Sequence, residues 1–195
     1  KMLQEIQQEL EARDVQVTVN YKQGVLRLDE RAIRFELSKS DLRESAAENA
    51  RLIASVLRSV LPCYTSLSAA KVKALKCNSV TLNTLESVFV EGHTDNVPML
   101  RNGKDHNWDL SAQRAIGTYR EFLAAEADLA SLLNTRDQPV FSVTGYGDSR
   151  PVPGHEYESP TADPRNRRID LRFIMETPDS DAPEVMKSVR TGVGE

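Results

Sequence analysis

Two helix-length amphipathic segments, each leading into a short apolar run, constrain the fold of this 195-residue chain more than any other feature. The first, SKSDLRESAAENARLIASVLRSVLP, predicts a helix from about 41 to 61 with Leu42, Ala46, Ile53, Leu57 and Val60 on its buried stripe. Ser38 or Ser40 can cap it, and Pro62 stops it. The second starts near Leu110 and runs to about Ala127, with Ala112, Ala115, Ile116, Tyr119, Phe122 and Leu123 as its core face. The runs around them have strand character. VQVTVNY sets Val15, Val17 and Val19 on one side, and GVLRLDE gives a second strand behind a turn through Gly24. AIRFEL alternates Ile33, Phe35 and Leu37 against Arg34 and Glu36. SVFVEGH gives a short strand, Val88 to Val90, ending in Gly92; PVFSVTGYG gives another at about 139–144. RRIDLRFIME is the last, at about 168–175, with Ile169, Leu171 and Phe173 on one face. Strand, helix, strand, helix, strand, strand is the order of an α/β chain folded as a two-layer sandwich.

The length suits one domain plus extensions. With 25 basic and 29 acidic side chains the net charge is -4, so bulk electrostatics gives a nucleic-acid partner no support. No run of about 18 apolar residues spans a membrane. The chain starts at Lys1 rather than Met, which suggests a trimmed or processed chain from which an anchor could have been removed upstream. Residues 1–20 are expected to be a helical arm or linker, 21–176 the domain, and 177–195 a loosely ordered polar tail. Within the arm, Leu3, Ile6 and Leu10 recur at three- and four-residue steps, as in a packed arm, a short coiled-coil seam or the end of a linker. The 63–86 segment reads as an irregular excursion. It holds Cys63 and Cys77, which have no CxxC or histidine pattern around them for zinc. Two unrelated thiols would be the plain reading. The preferred one is a disulfide pinning a local loop in an oxidising compartment, the periplasm or outside the cell.

EGHTDNVPMLRNGKDHNWDLSAQRA, residues 91–115, concentrates the chemistry. His93 and Asp95 form an HxD pair, but further metal ligands would have to come from His106, Asp109 or the distant His155, on loops. Ser111 has no nucleophile elbow around it and fits helix capping. TGYGDSRP lacks the third glycine and the lysine of phosphate-binding loops, and reads as a turn. A zwitterionic ligand remains. Asp95 at a strand end can take an ammonium, and Arg114, placed in the first turn of the next helix, can fork onto a carboxylate. The helix N-terminus favours that carboxylate too. On spacing alone, a plain Asp95–Arg114 salt bridge stands equal to this reading.

EGHTD, NWDLSAQRA, TGYGDSRP and NRR, in that order, resemble the OmpA C-terminal, peptidoglycan-binding family, which includes the periplasmic domains of MotB-type stators and the Pal lipoproteins. The resemblance covers roughly residues 24–175. It implies a βαβαββ sandwich with a mixed sheet and helices on one face, which binds the diaminopimelate of the wall stem peptide without catalysis or cofactor. The family's acid and arginine fall on Asp95 and Arg114, and the rest of its motif on Asn107, Leu110, Ser111, Asn166, Arg167 and Arg168. Thr94 and Asn96 flank the acid as further donors to the peptide. The extra material MLRNGKDH could fold over the ligand. The wording is closer to MotB-type stators, implying a periplasmic domain of a Gram-negative envelope protein. It would be anchored in the inner membrane by a missing transmembrane helix, dimeric, and paired with a MotA-type channel. Secretion accessories and Zorya-type anti-phage systems reuse that plan. A passive outer-membrane or lipoprotein tether is the alternative, and a metal-dependent hydrolase a remote one.

Overall fold

The structure, a computed structural model, describes residues 1–33, 35, 44–78 and 80–176. The first helix, α1 (Met2–Glu11), buries Met2, Leu3, Ile6 and Leu10. It packs on α2 (Glu44–Val60). Its apolar stripe is spent inside the chain and offers no coiled-coil seam. In α2, Ala46, Ala50 and Ala54 recur every four residues beside Ile53, Val56 and Leu57. Short side chains there let α2 lie close to the long helix α4 (Asn107–Ala125). The predicted caps Ser38 and Ser40, Leu42, and most of AIRFEL lie outside the described residues; of that run, Ile33 is in the core.

A 3₁₀ turn, Leu61–Tyr64, carries Pro62 and ends α2 as expected. The next segment is not wholly irregular. It forms α3 (Ala69–Leu75), capped by Ser68, whose Oγ accepts from the Lys71 N–H, and closed by Lys76 at φ 55°. AAKVKAL has good helix formers, but seven residues are too few to show an apolar stripe. A disulfide joins Cys63 to Cys77 around it.

The main sheet has five strands: β1 (Thr18–Asn20), β2 (Val25–Leu28), β3 (Leu85–His93), β6 (Phe141–Gly145) and β7 (Arg168–Met175). Their order across the sheet is β1-β2-β7-β3-β6, with β3 and β6 parallel and all other pairs antiparallel. That is the mixed sheet expected, with β1 shorter and β3 longer than their apolar runs. Gly24, at φ +67°, makes the β1–β2 turn, and a Cβ there would lie 2.6 Å from the Phe173 carbonyl oxygen. MLRNGKDH is a small hairpin of β4 (Leu100–Arg101) and β5 (Lys104–Asp105). Asn102 and Gly103 turn it, both at positive φ, as a two-residue Asn-Gly loop requires.

Alternation along the strands gives the sheet two unlike faces. Leu26, Leu28, Val88, Val90, Ile169, Leu171 and Phe173 join Ile6, Ile53, Leu57 and Phe122 in one core. The intervening positions carry charge. Arg27 bonds both oxygens of Asp170, Arg168 bonds its Oδ2, and Arg172 grips Glu91 with two hydrogen bonds.

Candidate functional site

The C-terminal end of β3 and the N-terminal half of α4 meet because two glycines allow it. A Cβ at Gly92 would lie 1.9 Å from the Ser111 carbonyl oxygen, and one at Gly145 would lie 2.5 Å from the Ala112 nitrogen. Ser111 is therefore inside the helix, not its cap. Its Oγ donates to the Trp108 carbonyl and accepts from the Gly147 N–H, tying α4 to the glycine loop. That loop is a turn, as expected: it exchanges backbone bonds with β3, Tyr146 N–H to Gly92 and Thr94 N–H to the Gly147 carbonyl.

α4 begins at Asn107, three residues before the predicted start, so Arg114 sits two turns in rather than in the first turn. The helix N-terminus is correspondingly not at its side. The Leu110 N–H bonds to His106, and the Asn107 N–H to Asp105. Arg114 is only 5% exposed, with its guanidinium 5.0 Å from the centre of the Phe35 ring. Burial and the neighbouring Arg167 charge pull its pKa down to about 10, while Asp95 and Glu30 act in the opposite sense. Asp95 is also buried, and its Oδ2 accepts from Arg167 Nη1 at 2.6 Å and from the Asp163 N–H at 3.2 Å. Arg167 reaches Glu30 with its Nε at 2.7 Å. Asp95, Arg114, Arg167 and Glu30 thus form one electrostatic group, in which Arg167 is a direct ion-pair partner of Asp95.

Of the remaining candidates, the asparagines and Arg168 have their side chains engaged inside the protein. Asn96 donates to the Tyr157 and Ser159 carbonyls and accepts from the Thr161 N–H. Asn107 donates to the Val97 carbonyl, and Asn166 accepts from the Val152 N–H while donating to His155. Arg168 is turned onto the charged sheet face, bonded to Asp170 and the Arg150 carbonyl. Leu110 is buried. Thr94 is 3% exposed, and its Oγ1 has no hydrogen-bond partner among the described residues. Glu30, Phe35 and Asp163 are members of the site that sequence reasoning missed; they carry no motif and reach it only through folding.

Metal chemistry gains little from the histidines. His106 bonds Asp109 at 2.6 Å and His155 bonds Asp163 at 2.7 Å, each in its own loop. His93 stacks on Tyr146 at the strand end, with neither ring nitrogen hydrogen-bonded. Its Nε2 lies 3.6 Å from Asp170 and 4.0 Å from Glu91, close enough for the three to share an ion. Both carboxylates are already neutralised by Arg27, Arg168 and Arg172, and a cation would have to enter among three guanidiniums. The donor set does not suit a metal. Burial, then the Arg168 charge, lowers the His93 pKa to about 3, which holds the ring neutral.

No protein-family model matches the chain. In sequence it is similar to Motility protein B of Bacillus subtilis (strain 168), 32% identical over 99 residues. That match covers 50% of this chain and 33% of the Bacillus protein, so the chain spans about a third of that relative's length. In structure it is similar to the periplasmic domain of Helicobacter pylori MotB, with a TM-score of 0.54 at 17% identity over 92% of each chain. The chain has the fold of a MotB periplasmic domain. A putative MotB-like protein from Desulfovibrio vulgaris superposes with a TM-score of 0.55 at 20% identity, covering 90% of this chain and 92% of that one. The cell wall anchor of the Pseudomonas aeruginosa type VI secretion system gives 0.54 at 20%, covering 91% and 98%. The fold brings residues as far apart as Glu30, Asp95, Arg114 and Arg167 to one pole, where strand ends meet the N-terminal half of α4.

Proposed function

We propose that this domain binds peptidoglycan through the diaminopimelate of the stem peptide and so anchors a MotB-like complex to the cell wall. The observation that carries the proposal is the burial of a guanidinium, Arg114, beside the Asp95 carboxylate at the strand-end pole. Holding both charges out of water is costly, and a ligand that carries the two opposite charges would meet both. A ligand stereocentre carrying ammonium and carboxylate matches that pair. The carboxylate would meet Arg114. The ammonium would meet Asp95 at Oδ1, since both contacts described for this acid fall on Oδ2. Thr94 Oγ1 would add one more polar contact, and Arg167 would hold Asp95 in place. Asn96, Asn107, Ser111, Asn166 and Arg168 would act by fixing the loops around the ligand, with Leu110 packed beneath.

Such a site binds without catalysis or cofactor. The likeness to MotB proteins and to a secretion-system wall anchor supports the coarser anchoring role. Placement in the periplasm, an inner-membrane anchor and a MotA-type channel partner belong to the same proposal. No helix among the described residues is long and apolar enough to cross a membrane. A homodimer is also proposed; since the α1 stripe is buried in its own core, pairing would use another surface, and a monomeric mass in light scattering removes that part. Calorimetric titration with a diaminopimelate-containing stem peptide, against the same peptide with lysine in its place, tests the ligand assignment. Binding of the first alone is expected. Equal binding of both contradicts a site built for the zwitterion, because lysine lacks its second carboxylate.

A further inference from the structure

The pole at the other end of α4 has a chemistry of its own. From Cys63 to Thr84 the sequence holds three lysines, Lys71, Lys73 and Lys76, and no aspartate or glutamate, in a chain whose net charge is -4. α3, which carries these lysines on and next to it, buries none of its residues. A seven-residue helix is not stable by itself in water; Ser68, the left-handed Lys76 and the Cys63–Cys77 bond hold it in place. Leu75 is 50% exposed and Val80 80% exposed. Leu67, Lys71, Ala74 and Leu75 face Leu129 and Leu132 across a groove of about 280 Å³. Among the described residues Asp128 is the acid lining that groove, and Arg58 neutralises both it and Glu126. None of the three lysines makes an ion pair among the described residues. The amino-terminal turn of α1 reaches the same pole, where Glu5 accepts from the Tyr64 hydroxyl.

We propose that this disulfide-held knuckle is a contact for an anionic lipid surface. Leu75 and the apolar groove wall would enter the interfacial layer, with the lysines among the headgroup phosphates. Lysine's compact charge on a flexible stem suits a fluid array of phosphates better than a fixed pattern of protein carboxylates, which arginine would fork. Exposed apolar groups amid lysines are what interfacial segments require. This pole lies at the C-terminal end of α4, about 17 Å beyond Arg114 along the helix axis. A domain gripping the wall at one end would therefore present this surface away from it.

Vesicle flotation with mixed phosphatidylglycerol and phosphatidylcholine, compared with phosphatidylcholine alone, tests the proposal. The chain is expected to float with the anionic vesicles at low salt, to be released at high salt, and to ignore the neutral ones. Each lysine at an anionic surface is worth roughly a fivefold change in partition, so Lys71→Glu, Lys73→Glu and Lys76→Glu together remove about a hundredfold or more. Leu75→Ser weakens partition without changing its salt dependence. Circular dichroism confirms that each variant is folded, and Asp95→Ala floats like the parent, which separates this proposal from the wall-binding one. Failure to float at low salt, equal binding to neutral vesicles, or undiminished binding by the triple variant each overturns it, the last two leaving apolar or protein contacts in its place.

Discussion

Gly92 and Gly145 decide how near α4 can approach the sheet, and with it where Arg114 sits. A methyl group at either would overlap backbone of residue 111 or 112. Gly145→Ala is expected to cost about 1–3 kcal/mol or more in urea unfolding, the range for overpacking a close contact, and to weaken ligand binding in the fraction that folds. An unchanged midpoint would mean that the approach is looser than described. His93 makes a separate prediction. The folded ring keeps a pKa of about 3, against about 6.5 when unfolded, so the unfolded chain binds the extra proton first. Its contribution is intact above pH 6.5 and is lost as pH falls towards 3, with a limiting slope of about 1.4 kcal/mol per pH unit. His93→Phe, which keeps the stacking on Tyr146, should flatten stability against pH in that window. A slope identical to the parent's would show that the ring is not held neutral. At this scale Asp95 was legible in the sequence because it follows a strand end, whereas the spacing puts Arg114 a turn too near the helix start. The Arg167–Asp95 contact was not legible, since 72 positions separate the partners and only the β7–β3 pairing joins them.

At the scale of elements, legibility followed length. α2 and α4 show several turns of apolar period, and β7 alternates from Arg168 to Phe173, so all three were visible. α3 and the β4–β5 hairpin are short and bury little, leaving only local signals: a capping serine and an Asn-Gly turn. The early start of α4 was missed because Asn107, Trp108 and Asp109 carry no apolar stripe. The disulfide could be proposed from two cysteines 14 positions apart, but its purpose could not. Closing a loop of about 15 residues contributes roughly 3 kcal/mol in the chain-entropy model. Cys63→Ser with Cys77→Ser should lower stability by up to that amount. It should also abolish amide protection across α3, read by hydrogen exchange, while leaving α4 protected. Protection persisting in α3 would mean that its caps suffice.

Across the whole molecule, α1 is part of the fold rather than an appendage. Ile6 and Leu10 are wholly enclosed, and burying each contributes about 1.5–3 kcal/mol. Deleting residues 1–13 should therefore destabilise the domain markedly in thermal unfolding, whereas a linker could be removed at no cost. The charged face of the sheet, built on Arg27, Asp170, Glu91 and Arg172, ties neighbouring strands together through cross-strand ion pairs. The strand-end pole, where Arg114 and Asp95 are buried side by side, is where the proposed ligand would dock.

The central claim is tested most directly by co-sedimentation with purified sacculi, comparing the parent chain with Asp95→Ala and Arg114→Ala, each shown to be folded. Losing one partner of a desolvated, charge-assisted contact typically costs about 2–5 kcal/mol. The parent is expected to pellet with the wall and both variants to stay in solution. All three pelleting alike would contradict the account, because the wall would then be held by some surface other than this pair.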